Sequence, residues 1–550
     1  MKRYILSSLF AVILLFASSC NDYLDMTPTN SNSDKMIYAN AEYTGLAINR
    51  FYHFFDVMGQ FDTGQSSVGL TEGMTETLKY GCTTLNAHMW FANGVAYGTE
   101  VTDAHSVAYF LGQWDNLYSY ISEVNVALSN IEKYGTYDAK QKTVYIGECR
   151  LLRGFLYFEL LKRHKQCVLR TENLEVDYQN NIPLSSETDC WEFVYQDMKF
   201  AAANLPDKSA DGRLTNGAAY GLLSRAMLYA ERWQDAFDAA KSVIDLNLYD
   251  LTDDYQTAWS KTRVDGNTES IIEYEYNFNG VTHSFDNNFT PGGDAGTVQS
   301  GLGTPTQEMV EQYESKTGTK IDWSMWHTAN ATTQTPPYDQ LEPRFAATII
   351  YNGCTWKGRT MNTTIEGGKD GYIAWREKPQ TGGKTTTGYY LRKLVNENHD
   401  LTVNSKSTQP WIALRYAEVL LNYAEAACHL NKATEAKWAL NDKIRHRVSL
   451  PAKGSSGEAL LAAVRQERRI ELAYEGQLYW DMRRWKLADK EYSGKRVHGF
   501  RIEKIAGELV YNYVDCDGQD RFFSPKLYQI ALPTSEMDNN TAVHQFDVWK

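Results

Sequence analysis

The 550-residue sequence is poor in the local signatures that mark catalytic and cofactor sites. It contains no Gly-x-Ser-x-Gly, no His-Glu-x-x-His and no P-loop, which excludes the hydrolase, zinc-protease and nucleotide-binding classes encoded by those motifs. Its 11 histidines are scattered and never fall at i, i+4. No redox-cofactor motif is present, and no cofactor or metal is expected. Cysteine is sparse, eight in all, with no Cys-x-x-Cys pair. That spacing argues against a structural zinc site and against a dense disulfide framework. Cationic excess is also lacking: 55 Lys and Arg stand against 68 Asp and Glu, a net charge of −13. The acidic balance argues against nucleic acid as a partner. It weakly disfavours anionic polysaccharide, although a local basic patch overrides net charge. Beyond the N-terminus no segment is apolar enough to cross a bilayer.

The first twenty residues are distinctive. Lys2 and Arg3 precede a thirteen-residue apolar run, Ile5 to Ala17, broken only by Ser7 and Ser8. That run is too short for a membrane span and suits a secretory leader. Small residues lead into Cys20, the placement a lipoprotein signal peptidase needs. The expectation is a leader over 1–19, lipid attachment at Cys20, and an anchor supplied by acyl chains. Cys82, Cys149, Cys167, Cys190, Cys354, Cys428 and Cys516 are then an odd set, so at least one thiol is free.

Helical periodicity dominates much of the chain beyond residue 105. Apolar residues step by three or four over 106–132, 142–164 and 186–204. A helix–turn–helix over 212–244 carries Ala226 and Ala236 where two helices must approach closely. The same design recurs at 415–447 with Ala426 and Ala436. The region 250–410 differs, being rich in Gly, Thr, Asn, Tyr and Trp. Strands are predicted near 269–277, 344–353 and 389–395, and a short helix begins at Pro305 with Thr304 as its cap. Near the C-terminus, Leu460, Val464, Ile470, Tyr474 and Leu478 form one stripe, with Glu467 inside it. A buried ion-pair network is the reading of the surrounding Arg and Glu residues, with Arg445, Arg447, Arg468 and Arg469 as candidate partners. Gly476 either caps or kinks this helix. The fold class is mainly α: tetratricopeptide-like helical hairpins, about four of them, forming a scaffold, with a loop-rich insert containing short strands.

Aromatic residues are abundant, with 14 Trp and 36 Tyr, and many fall in the polar stretches 59–103 and 250–410. A ring covers the C–H face of a sugar while Asn, Asp, Gln and Arg take its hydroxyls. Tyr80, Trp90, Asn93, His283, Phe285, Trp323 and Trp326 are the ligand-contact candidates. No catalytic residue is nominated. Carboxylates abound, and a glycosidase pair, whose members can be remote in the chain, stays open.

The run ArgArgIleGluLeuAlaTyrGluGly from Arg468, followed by TrpAspMetArgArgTrp from Trp480, resembles the C-terminal signature of the SusD/RagB family of surface nutrient-binding lipoproteins. Arg153 to Leu161, the segments at 269–277, 344–353 and 389–395, and Tyr528 to Asn540, similar to that family's closing strand and turn, extend the likeness. The resemblance implies one body over 20–550, with an N-terminal part to about 250, the insert to about 410 and a C-terminal part beyond. It also implies a glycan ligand, an outer-membrane, cell-surface location, and a SusC-like TonB-dependent transporter as partner. Peptide is the alternative cargo.

Overall fold

The computed structural model describes residues 33–59, 61, 68–80, 104–171, 181–209, 212–294, 300–328, 330–374, 383–516 and 520–550. Helices form the scaffold. Helices α1 (Trp114–Tyr134) and α2 (Ala139–His164) make the first hairpin, and α3 (Glu187–Asn204) packs on α2. Each of the last two starts at a side-chain cap: Asp138 accepts from the backbone N–H of Gln141, and Ser186 from that of Asp189. Helices α4 (Asn216–Tyr229) and α5 (Trp233–Asp245) form the next hairpin. Helix α6 (Tyr416–His429) lies against α5 although some 170 residues of chain separate them. It leads into α7 (Ala433–Lys437), which continues as a π-helical stretch, Trp438–Arg445. Helices α8 (Glu458–Glu471) and α9 (Leu478–Arg484) follow.

The two alanine-marked hairpins turn in the same way. Glu231 and Asn431 adopt left-handed backbone, φ 55° and 59°. Arg232 N–H donates to Met227 O at 2.9 Å, and Lys432 N–H to Ala427 O at 2.8 Å. This six-to-one closure satisfies carbonyls orphaned at the helix end. Ala226, Ala236, Ala426 and Ala436 are all fully buried, as close helix crossings require.

Strands are short and pair antiparallel in twos. Among the described residues these are β1 (Leu78–Tyr80), β2 (Ser270–Tyr274), β3 (Gly303–Pro305), β4 (Ile349–Ile350), β5 (Thr355–Trp356), β6 (Arg359–Thr360), β7 (Tyr390–Leu391), β8 (Trp411–Arg415), β9 (His498–Ile505) and β10 (Glu508–Asp515). The pairs are β1 with β3, β2 with β8, β4 with β7, β5 with β6 and β9 with β10.

Several local readings are corrected. Residues 344–353 open as a helix, Pro343–Thr348, and only Ile349–Ile350 is strand; proline at the first helical position presets the turn. Thr306, not Thr304, caps the helix Gln307–Val310, accepting from Met309 N–H at 3.3 Å. Thr304 lies in β3. The closing segment holds a 3-10 turn, Pro525–Tyr528, and a helix, Thr534–Asn539, in place of a strand. Helix α8 stops at Glu471; Tyr474 and Gly476, at φ 63° and 74°, redirect the chain into α9.

The charges around α8 form a buried network. Glu467 meets Arg344 at 2.6 Å and Arg445 at 2.8 Å. Arg415 reaches Glu269 at 2.9 Å and both Glu471 and Glu475 at 2.7 Å. Arg447 joins Glu269 to Glu471, Arg344 also holds Glu342 at 2.8 Å, and Lys393 pairs with Glu475 at 2.6 Å. Burial alone would raise the Glu471 carboxyl, but Arg447, Arg415 and Arg344 hold it well below the ordinary range. Arg468 turns away to Asp481 at 2.6 Å, and Arg469 to Glu76 and Glu491. The network ties α8 to β2, β8 and the Pro343 helix, joining the insert to the scaffold.

Candidate functional site

The segment 321–335 brings two of the nominated rings together. Trp323 and Trp326 sit with ring centroids 5.6 Å apart and planes tilted by 59°. Trp323 is 5% exposed, and its indole N–H has no hydrogen-bond partner among the described residues. Trp326 is half-buried, its Nε1 donating to Gln334 O at 2.9 Å, which fixes the ring's direction. Met325 between them is 56% exposed. The loop is clipped to β10 by a two-way backbone pair: Thr332 N–H donates to Tyr511 O at 3.1 Å, and Tyr511 N–H to Thr332 O at 2.8 Å.

Three further rings flank it. Tyr513 of β10 lies between His327 (centroids 4.6 Å apart) and His498 of β9 (4.4 Å). His327 Nε2 meets Glu311 at 2.6 Å, and His498 Nδ1 meets Glu308 at 2.6 Å. Burial lowers the His498 pKa, but Glu308, Asp515 and Glu311 more than reverse this and leave it raised. The Glu311 carboxyl is raised by burial, against the pull of His327. Each of these two carboxylates is therefore engaged by an imidazole. The β9–β10 hairpin that brings Tyr513 and His498 here was not anticipated. Its signal was present: two eight-residue alternating runs joined at Ala506-Gly507, both at positive φ.

The other nominated residues divide. Tyr80 is buried in β1, so close to Gly73 that a Cβ there would fall 2.0 Å from its ring. His283 stacks on Phe61 at 4.2 Å, faces Gln409 O through Nε2 at 3.0 Å, and accepts from Phe285 N–H through Nδ1 at 3.2 Å. Burial pushes its pKa down to about 4, so the ring is neutral. Phe285 is buried against Phe289, 4.4 Å away, and Phe61. Rings enclosed to this degree pack protein and offer a ligand no face. Trp90, Asn93 and Cys20 lie outside the described residues. The structure thus brings Trp323 and Trp326 together and places Tyr80, His283 and Phe285 in the core.

These features describe a helical-repeat body bearing a loop-borne aromatic face. A family model described as "SusD family" matches residues 268–549, and a second, described as "Starch-binding associating with outer membrane", matches residues 22–228. The chain belongs to the SusD family. A SusD-like protein of Bacteroides ovatus is 24% identical, over 94% of this chain and 90% of its own. The crystal structure of a SusD-like protein from Bacteroides fragilis superposes with a TM-score of 0.78 at 25% identity, covering 94% of this chain and 99% of that one. A SusD-like carbohydrate binding protein from the same species gives 0.74 at 23% identity, covering 92% and 100%.

Proposed function

We propose that this protein is a non-catalytic glycan-binding lipoprotein. It captures oligosaccharide at the cell surface and passes it to a SusC-like TonB-dependent transporter. In this reading residues 1–19 are a leader, Cys20 carries the lipid, and 20–550 work as one body. The observation that carries the reading is the Trp323–Trp326 pair, a ring held in a set direction by Gln334 and backed by a buried second ring. A ring with two side-chain torsions, already immobilised, binds a sugar face at low entropic cost. The family descriptions, which name starch binding and association with the outer membrane, and the carbohydrate-binding Bacteroides fragilis structure support the same reading. So does the pairing of the arginines and glutamates around α8, which are engaged with one another inside the scaffold.

The test is titration calorimetry against a panel of soluble neutral oligosaccharides, with peptides of similar size alongside. Binding of at least one glycan without bond cleavage, weakened by Trp326→Ala, is the expected result. Binding of peptides alone, or turnover of a glycan, would replace this reading.

A further inference from the structure

We infer that a second site, remote in sequence from the Trp323–Trp326 loop, takes an anionic sugar: a residue bearing a carboxylate or a sulfate ester. The site is a cavity of about 700 Å³ between the C-terminal end of α2, the first turn of α3, the α4–α5 turn and α9. Its volume falls in the usual range for small-molecule sites and far exceeds what one inorganic oxyanion fills.

Charge makes the case. Six cations line the cavity: Lys162, Lys165, Arg232, Arg483, Arg484 and Lys486. Three carboxylates do so: Glu187, Glu192 and Glu231. Half of the cations are already neutralised. Lys162 pairs with Glu159 at 2.7 Å, Arg484 with Glu425 and Asp481 at 2.7 Å, and Arg232 with Glu192 at 2.7 Å and Asp235 at 2.6 Å. Among the described residues Lys165, Arg483 and Lys486 have no carboxylate within ion-pair distance, and of the lining carboxylates Glu187 and Glu231 have no cation within it, so three unpaired cations face two unpaired carboxylates. The buried Arg483 guanidinium donates only to backbone, to Leu527 O at 2.8 Å, Lys162 O at 3.1 Å and Arg163 O at 3.4 Å. Those carbonyls hold it in place and leave its charge uncompensated.

Lys165 and Lys486 sharpen the point. Each follows the end of a helix in left-handed backbone, φ 65° and 57°, where glycine is cheaper. Carbonyl dipoles at the two helix C-termini favour one lysine at each. They do not account for two ammonium groups brought within interaction range of each other. Partial desolvation, then the neighbouring Lys165 and Arg483, push the Lys486 pKa down to about 8, against the pull of Glu231. A bound anion would relieve that repulsion.

The remaining wall is aromatic. Tyr229 and Tyr528, both half-buried, offer ring surface there, while Trp191 and Trp480 line it as enclosed rings. Among the described residues the buried Trp480 indole N–H has no hydrogen-bond partner, and Lys162, Arg163 and Arg483 stand 4.7, 4.9 and 4.8 Å from its ring. Lys486 lies 4.4 Å from the Tyr528 ring. Two half-buried tyrosine rings beside unpaired cations match an acidic saccharide better than a bare ion. The overall charge of −13 does not oppose this, because the cavity is a local basic patch.

The inference takes from the proposed function only that the ligand is a sugar. Titration calorimetry on the full chain would compare oligogalacturonate, a sulfated oligosaccharide, a neutral oligosaccharide of equal length and inorganic sulfate. At least one acidic oligosaccharide should bind about tenfold more tightly than the neutral one and weaken between about 50 and 200 mM salt. Lys165→Gln with Lys486→Gln, two side chains at the cavity mouth, should abolish that preference. Lys165→Arg with Lys486→Arg should retain it. Equal binding of acidic and neutral sugars, or an acidic preference that survives Lys165→Gln with Lys486→Gln, overturns the inference. Binding of inorganic sulfate alone overturns the sugar assignment. Neutral-glycan binding that depends on Trp326, with no acidic preference, defeats this inference and leaves the proposed function standing.

Discussion

Trp323 and Trp326, three residues apart, differ in what they can do. Trp323 is enclosed, so Trp323→Ala should destabilise the fold by about 3–5 kcal/mol, as for other buried aromatic truncations. Trp326 is half-exposed, so Trp326→Ala should leave the melting temperature near wild type and weaken glycan binding by about 1–3 kcal/mol. Thermal melts and calorimetry on both variants check this. If both variants melt alike, the burial difference has no energetic meaning. His283 yields a second prediction. Its neutral ring is fully used, donating to Gln409 O and accepting from Phe285 N–H. Its pKa is about 4 in the folded chain against about 6.5 when unfolded. Between those values the unfolded chain takes up a proton that the folded chain refuses. Stability is therefore present above pH 6.5 and lost as pH falls towards 4, by about 3 kcal/mol from this group. Denaturant titrations across that window should show a shallower pH dependence for His283→Leu; an unchanged slope would mean the ring is protonated in place. Tyr80, His283 and Phe285 illustrate where sequence fails at this scale. An aromatic residue in a Gly- and Asn-rich stretch has the same composition signal whether it covers a sugar or plugs the core beneath a loop. Only the contacts of Phe61, Gly73 and Phe289 separate the two.

At the scale of elements, the helices were legible because their signals are local. The Ala226–Ala236 and Ala426–Ala436 pairs mark two hairpins that the structure closes with the same turn. Ala226→Trp and Ala426→Trp should each cost about 1–3 kcal/mol or more, because a large ring at a fully buried helix crossing forces the backbones apart. Variants that melt like wild type would place these alanines elsewhere. The strands were less legible. Two-residue strands such as Ile349–Ile350 and Tyr390–Leu391 are defined by their partners, and no two-residue pattern carries a period. Residues 344–353 draw their β-prone character from Thr348, Ile349, Ile350 and Tyr351, while Pro343 starts a helix over the Ala-containing first part. The end of α8 was misplaced because Tyr474 continues the apolar stripe in sequence while its backbone has already left the helix.

At the scale of the molecule, the buried network is the joint between insert and scaffold. Arg415 alone serves Glu269, Glu471 and Glu475. Arg415→Leu would leave those carboxylates short of a cation and should destabilise the protein by about 3–5 kcal/mol in denaturant titrations. A loss under about 1 kcal/mol would show that the remaining cations suffice. A buried network at α8 could be read from the sequence, and Arg445 was among its candidate partners. Arg344 was not, since 123 residues separate it from Glu467 and nothing local links them. Anchoring belongs to this scale as well. Cys20→Ala should leave the chain unlipidated and release it from the membrane fraction; continued palmitate labelling and outer-membrane partitioning would contradict the assignment.

The central claim is that a rigid helical scaffold presents the Trp326 ring to a glycan and performs no chemistry on it. The most direct measurement is calorimetric titration of wild type and Trp326→Ala with the glycan that wild type binds best, with the sugar recovered afterwards and its chain length determined. Weaker binding by the folded variant and an intact sugar from both proteins are predicted. Undiminished affinity in the variant would place the site elsewhere, and a shortened sugar from wild type would make the protein an enzyme.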